Sequence, residues 1–238
     1  MLNQNHYHFI GLGGIGMSGS ALVLLKKGLS VSGSDITKND RLTEIAKYGG
    51  IIFHSQKAQN IDLIKKKFSS KNITIVISSA ISNKNKELNY CIENQMTIKH
   101  RSEVLSLIMK SFQSIAVAGS HGKTSTSTLL TTLLDLCTKD TSSIVGGILP
   151  RYESNTIIKK SKYLVAEIDE SDGSTCKYKP YLGIINNIDF DHCDYYSNIK
   201  ELISSFNEFG SNSKILLTNE DCKITKENIT SDYTCSIK

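Results

Sequence analysis

Residues 6–35 read HYHFIGLGGIGMSGSALVLLKKGLSVSGSD. The apolar run from Tyr7 to Ile10 predicts a strand, which enters glycines at 11, 13, 14 and 16. Met17, Ala21, Leu24 and Leu25 then recur at helical spacing, and Gly28 stops that helix. A second strand, Leu29 to Ser34, ends in Asp35. Strand, glycine loop, helix and strand in this order predict a βαβ unit. Its glycines let the backbone turn tightly and approach a diphosphate at the helix N-terminus. Asp35 stands where a carboxylate can reach a ribose hydroxyl. The loop by itself leaves its ligand open: nicotinamide or flavin cofactors, other diphosphates and plain helix–strand packing all suit it.

The alternation continues downstream. The spacing predicts a helix over 40–48, a short strand over 51–53, a strong strand in ITIVISSA (73–80) and a helix over 85–94. A short strand near Thr97 and Ile98 and a helix over 102–110 follow. This order implies a parallel sheet with ligands at the carboxyl ends of its strands. Ser78 and Ser79 end one strand and Arg101 follows another, so all three are placed to face that crevice. The densest basic run, IKKKF at 64–68, reads as a solvated helix face.

The theme returns with different chemistry in SFQSIAVAGSHGKTSTSTLLTTLLDLC, residues 111–137. Gln113 to Ala118 reads as a buried strand, Gly119 to Thr124 as a loop and Ser125 to Leu136 as a helix. The loop is shorter than the usual G-x-x-x-x-G-K-[ST] pattern but keeps its working parts. Backbone N–H groups can cradle phosphates, Lys123 can reach the β- and γ-phosphates, and the Thr124 hydroxyl can serve Mg²⁺. Such a site needs a carboxylate from a neighbouring strand. KYLVAEIDESD (162–172) offers Glu167, Asp169, Glu170 and Asp172 after an apolar run, and LGIINNIDFDHCDYY (182–196) offers Asp189, Asp191, His192 and Asp194.

Bulk properties narrow the classes. A chain of 238 residues, 39% hydrophobic and 21% charged, holds one large or two modest α/β domains. A formal net charge of +5 spread along the chain gives no nucleic-acid patch. No apolar run approaches the roughly 18 residues of a membrane span. The six cysteines show no C-x-x-C pairing and no signal peptide precedes them, so reduced thiols in a cytoplasmic protein are expected.

Six segments occur together in fixed order: HFIGLGGIGMSG, VSGSD, VISSAI, IAVAGSHGKTST, YLVAEIDESD and NNIDFDH. In order and spacing they resemble the Mur ligases, over essentially the whole chain. The resemblance implies a Rossmann-like UDP-sugar-binding domain over 1–110 and a P-loop ATP-binding domain over 111–238, both with largely parallel sheets. It implies ATP and Mg²⁺ as cofactors, and UDP-N-acetylmuramate and L-alanine as the substrates joined through an acyl phosphate. Gly119, Ser120, His121, Gly122, Lys123, Thr124 and Ser125 would form the ATP loop. Thr124 and Glu167 would hold one Mg²⁺, and His192 would help hold a second; Lys123 and His192 would be the catalytic groups. Gly11, Gly13, Gly14, Gly16, Met17 and Ser18 would wrap the UDP diphosphate, with Asp35, Ser78, Ser79 and Arg101 nearby.

Two departures stand out. Ser120 and Ser125 take positions where the family commonly has Thr, which keeps both hydroxyls. The family also carries a third, carboxy-terminal domain that the sequence through SDYTCSIK does not supply, so the central domain is expected to be incomplete and turnover by this chain is in question. The competing readings are a UDP-sugar- and ATP-binding module without catalysis, a sister ligase and an NAD-dependent oxidoreductase. The last leaves the second loop without a purpose.

Overall fold

The computed structural model describes residues 6–69, 72–138, 140–190 and 195–237. The chain divides into two compact units, Met1–Ile108 and Met109–Lys238. Each is built around its own sheet.

The first unit alternates strand and helix throughout. Its elements are β1 (His6–Ile10), α1 (Ile15–Lys26), β2 (Ser30–Ser34), α2 (Asp40–Lys47), β3 (Ile51–Phe53), α3 (Ala58–Lys65), β4 (Ile73–Ile77), α4 (Lys86–Glu93), β5 (Thr97–His100) and α5 (Arg101–Met109). The strands lie in the order β3-β2-β1-β4-β5, all parallel. Side-chain caps start two of the helices. Asn39 accepts from the Leu42 amide ahead of α2, and Asn85 accepts from the Glu87 and Leu88 amides ahead of α4. One core packs Ile10, Ile73 and Ile75 of the sheet against Ile61 and Ile64 of α3 and Leu88 and Cys91 of α4. Full burial of each such aliphatic side chain stabilises by about 1.5–3 kcal/mol.

Helix α3 lay outside the expected pattern, because only Ile61 and Ile64 mark its buried face in a polar stretch. It ends at Lys65, so the IKKKF run leaves the helix after two residues. Lys65 is bonded to Asn94 and lies over the Tyr90 ring, a surface role.

The same sheet face contains a polar chain. His6 pairs in register with Ser30 and His8 with Ser32. His6 Nδ1 lies 2.9 Å from Ser30 Oγ and Nε2 lies 2.6 Å from Ser32 Oγ. His8 Nδ1 is 2.7 Å from the same Ser32 hydroxyl, and His8 Nε2 is 3.0 Å from Glu87 Oε1. Glu87 also accepts from Ser34 Oγ at 2.5 Å and Asn60 Nδ2 at 2.8 Å. His8 and Glu87 are fully buried. Burial, with His8 next to it, lowers the His6 imidazole to about 4, so His6 is neutral at pH 7. The hydrogen-bonded groups thus run without a break from Ser30 through His6, Ser32 and His8 to Glu87.

The second unit runs β6 (Gln113–Ala118), α6 (Lys123–Thr138), β7 (Thr141–Leu149), β8 (Ser154–Ile157), β9 (Tyr163–Glu167), β10 (Leu182–Ile185), α7 (Ile199–Asn212), β11 (Ile215–Asn219), α8 (Lys223–Asn228) and β12 (Tyr233–Cys235). The sheet order is β12-β11-β10-β6-β9-β7-β8. Every described pairing is parallel except β7 with β8, a short hairpin at the sheet edge. Helix α6 begins at Lys123, two residues earlier than its apolar spacing predicts. It is rich in Ser and Thr, which compete with the backbone for hydrogen bonds. Here Ser127, Thr131 and Thr132 donate back to the carbonyls of Lys123, Ser127 and Thr128, which keeps the hydroxyls satisfied inside the helix.

Candidate functional site

β6 lies between β10 and β9, so three parallel strands end side by side. Val117 is paired with Glu167, and Ala118 with Ile185. The loop after β6 therefore emerges between the carboxylates that follow β9 and the asparagines that follow β10.

The β10 side holds the loop backbone. Ser120 N donates to Asn187 O at 3.1 Å, and His121 N donates to Asn187 Oδ1 at 2.8 Å. Asn187 Nδ2 returns a bond to His121 O at 3.1 Å, so one side chain grips both sides of that residue. Asn186 Nδ2 donates to Thr126 Oγ1 at 3.0 Å. The Ser120 hydroxyl donates to Asp189 O and accepts from Asp189 N, both at 2.8 Å. His121 faces Asp189 at 3.5 Å on the exposed side. Gly122 accepts from Thr126 N, which joins the loop to α6. Ser125 is exposed in the first turn. The amides of that turn have no partner within the helix, which favours an anion there.

The β9 side engages the loop's functional side chains. Thr124 Oγ1 donates to Glu167 Oε1 at 3.0 Å, and Glu167 Oε2 accepts from Gly146 N at 2.6 Å. A Cβ at Gly146 would sit 2.7 Å from the Glu167 carboxylate, so this strand must carry glycine for the carboxylate to fit. Gly147 makes the same allowance for the Thr124 methyl, 2.8 Å away. Lys123 Nζ donates to Gly119 O at 2.7 Å, Ser120 O at 3.2 Å and Glu170 Oε1 at 2.9 Å, and Glu170 Oε2 is 2.8 Å away. Burial pushes the Glu170 carboxyl up, and Lys123 opposes that shift.

Thr124 and Glu167 thus present a hydroxyl and a carboxylate oxygen next to each other. These are hard oxygen donors that suit Mg²⁺, which keeps waters and phosphate oxygens for the rest of its shell. Among the described residues no group of three or more His, Cys, Asp or Glu side chains forms a metal cage. His192, with Asp191 and Asp194, lies outside the described residues.

In the first unit the glycine loop leaves β1 and enters α1. Gly11 N and Leu12 N both donate to Ser34 O, and Gly14 N donates to Gly11 O. Gly13 N donates to Asp35 Oδ2 at 2.8 Å, and Thr37 N donates to Asp35 Oδ1 at 2.8 Å. Asp35, expected to reach a ribose hydroxyl, here accepts from two backbone amides and braces the loop. Asn39 Nδ2 and Arg41 Nε both donate to Gly13 O, a pair of contacts the sequence reading had not marked. Gly14 caps α1, and Gly16 lies beside Arg101 Nη1. Met17 and Ser18 are buried in the first turn of α1, where the Ser18 hydroxyl donates to Ile15 O and the Met17 side chain lies against Gly14 of the loop. Ser78 is half-buried, and exposed Ser79 bonds to His100 Nε2 at 3.2 Å. Arg101 begins α5 directly after β5, which puts it at the carboxyl end of the sheet with the two serines.

Two family descriptions match this sequence in tandem. "Mur ligase family, catalytic domain" covers residues 6–113, and "Mur ligase middle domain" covers residues 117–237. The chain belongs to the Mur ligase family. A UDP-N-acetylmuramate–L-alanine ligase of Prochlorococcus marinus subsp. pastoris is 57% identical over 99% of this chain and 50% of its own length. The ligase of the same description from Thermosynechococcus vestitus is 42% identical over 92% of this chain and 46% of its own length. The crystal structure of the Thermotoga maritima UDP-N-acetylmuramate–alanine ligase MurC superposes with a TM-score of 0.85 at 26% identity, covering 98% of this chain and 53% of that one. The chain spans about half the length of the curated Mur ligases it matches. The α/β architecture with mostly parallel sheets is that of the family's N-terminal and middle domains.

The loop motif names Lys123 and Thr124, the resemblance to the Mur ligases adds Glu167, and the fold brings these three together. The sequence reading had noticed Glu170 only as one of several acids, and had passed over Asn186, Asn187, Gly146 and Gly147. The twin glycines inside an apolar stretch were a readable sign of close approach.

Proposed function

We propose that this chain carries the UDP-sugar-binding and ATP-binding units of a cytoplasmic ATP-dependent ligase that joins L-alanine to UDP-N-acetylmuramate. The observation that carries the reading is the grouping of Lys123, Thr124 and Glu167 at the start of a helix, between parallel strands of a Mur ligase middle domain. The 57% identity to a curated ligase of this description supports the choice of substrates.

In this reading the Asn187-held loop presents the amides of Gly122 to Ser125 to the phosphate chain, and Lys123 neutralises charge on the transferring phosphoryl group. Thr124 and Glu167 would hold Mg²⁺, which when bound screens the repulsion between a carboxylate and a polyanion. His192, by family resemblance, would belong to a second ion site. The muramate carboxylate attacks the γ-phosphorus, the bond to ADP breaks, and an acyl phosphate results. The alanine amine then attacks the acyl carbon, phosphate leaves, and the amine proton passes to solvent or a base. Asn186 and Asn187 fix the loop so that its amides are already aimed, which lowers the reorganisation needed on binding.

In the first unit the glycine loop and the N-terminus of α1 would take the UDP diphosphate, with Arg101 as the nearby cation. Ser78 and Ser79 are proposed as sugar or uridine contacts. Calorimetry tests the division directly: MgATP and UDP-N-acetylmuramate should each bind the 238-residue chain without competing. Thermal stabilisation by NAD and none by UDP-N-acetylmuramate would reject the reading of the first loop. Alanine-dependent phosphate release then asks whether these residues turn over by themselves.

A further inference from the structure

Lys123 has three N–H donors, and all three are directed at groups of the chain itself: Gly119 O, Ser120 O and the Glu170 carboxylate. The three acceptors are not equivalent. Gly119 and Ser120 belong to the loop that would wrap a phosphate chain, so their carbonyls travel with the lysine. Glu170 arrives from the turn after β9, 47 residues away in sequence, and it is the anionic member of the three. Both of its oxygens lie within 2.9 Å of Nζ. The pair is also shielded, with side chains only 15% and 11% exposed. A charge-assisted bond in such surroundings is stronger than one in water, and so is the competition it offers to any other anion.

Glu167 is three residues earlier and engages a different partner set, Thr124 and Gly146. Two glutamates on one strand end therefore divide the work. One accompanies the hydroxyl proposed for Mg²⁺, and the other occupies the ammonium proposed for phosphate. A phosphate oxygen approaching Nζ carries the same kind of charge as Glu170 and needs the same donor.

We propose that Glu170 is an affinity-determining residue of the loop, competing with phosphate oxygens for the Lys123 ammonium. Binding of a phosphate chain then requires Lys123 to exchange Glu170 for phosphate while keeping its two carbonyl partners. The cost of that exchange weakens binding and favours release of the cleaved nucleotide. This inference rests on the proposed ATP-binding role of the loop.

The test is calorimetric titration of the 238-residue chain with MgATP and with tripolyphosphate, for wild type, Glu170→Gln and Asp169→Asn. Glu170→Gln keeps the shape and one acceptor but removes the charge, and should bind tripolyphosphate roughly five- to tenfold more tightly. Asp169→Asn removes the same charge one residue away and should change affinity less than about twofold. Unchanged or weaker binding by Glu170→Gln, or equal tightening in both variants, overturns the competition. Should Glu170→Gln fail to fold, the carboxyl ¹³C resonance of Glu170 in the wild-type chain gives a second reading. It should move as tripolyphosphate saturates the loop, and a static resonance rejects the exchange. Binding by wild type with no tightening in the variant removes only this inference. Absence of binding in every chain removes the ATP-loop reading as well.

Discussion

The two loops share a scaffold and differ in what secures them. Both leave the carboxyl end of an inner parallel strand and open a helix. The first is secured from one neighbouring strand end: the Ser34 carbonyl, the Asp35 carboxylate, Asn39 and Arg41 all follow from β2 onward. The second is held between two strands, with Asn186 and Asn187 on its backbone from one side and Glu167 and Glu170 on its side chains from the other. A loop that works through backbone amides needs its path fixed. A loop that also delivers a lysine and a hydroxyl needs those side chains aimed, and that takes carboxylates from a separate strand.

The interiors differ in the same spirit. In the first unit the strand that feeds the loop carries His6 and His8, whose hydrogen bonds end on buried Glu87. In the second unit the corresponding strand is apolar from Ile115 to Ala118, and the charged pair is at the strand ends.

The largest effect is expected where that interior chain is broken. Glu87→Ala leaves His8, Ser34 and Asn60 without their shared acceptor, at a cost of about 3–5 kcal/mol. Urea unfolding should show the first unit destabilised, while MgATP binding to the folded second unit persists. Loss of both functions from a folded chain would erase the contrast between the units.

Acid should separate them next. His6 titrates at about 4 in the folded chain against 6.5 when unfolded, so the unfolded state binds more protons between those values. Its contribution is full above pH 6.5 and is lost as pH falls toward 4, on the order of 3 kcal/mol. Glu170 has the opposite sign, because its raised carboxyl favours the folded state at low pH and loses that contribution as pH rises. Denaturation of wild type and His6→Gln from pH 7.5 to 4 should show a shallower loss in the variant. Parallel curves would contradict the neutral, buried assignment of His6.

The loop lysine comes third. Lys123→Ala should weaken MgATP by about 100-fold, roughly 3 kcal/mol, and leave UDP-N-acetylmuramate within about twofold. Simultaneous loss of both ligands from folded protein would argue for one site rather than two. The smallest effect belongs to the loop brace. Asn187→Ala removes two bonds to His121 and should cost about 1–2 kcal/mol in MgATP affinity, seen as a rise in Kd of about tenfold. A change below twofold would mean that Asn186 and the Ser120–Asp189 contacts hold the loop unaided.

Much of this was written in local sequence. The strand, glycines and helix at 6–35 and the strand, loop and helix at 113–136 are consecutive, so periodicity and turn chemistry specify them without reference to the rest of the chain. Lys123 and Thr124 were legible from the Gly-Lys-Thr loop between strand and helix, and Glu167 as one of four acids after an apolar run, singled out by the resemblance to the Mur ligases. Helix α3 and the antiparallel β7–β8 edge were not, because their burial depends on partners that no local pattern names.

What only the tertiary structure decided is which distant groups meet. Sheet order put β6 between β9 and β10, and that placement selected Glu170 from four nearby acids as the partner of Lys123 and Asn187 as the brace of His121. Sequence fixed neither choice, because a contact between residues 47 or 66 positions apart is set by strand adjacency and register, not by the residues between them. The buried path from His6 to Glu87 arose the same way. Its serines look unremarkable in sequence, and become part of a continuous hydrogen-bonded chain only when β1 and β2 pair in register and α4 lays its first-turn glutamate beneath them.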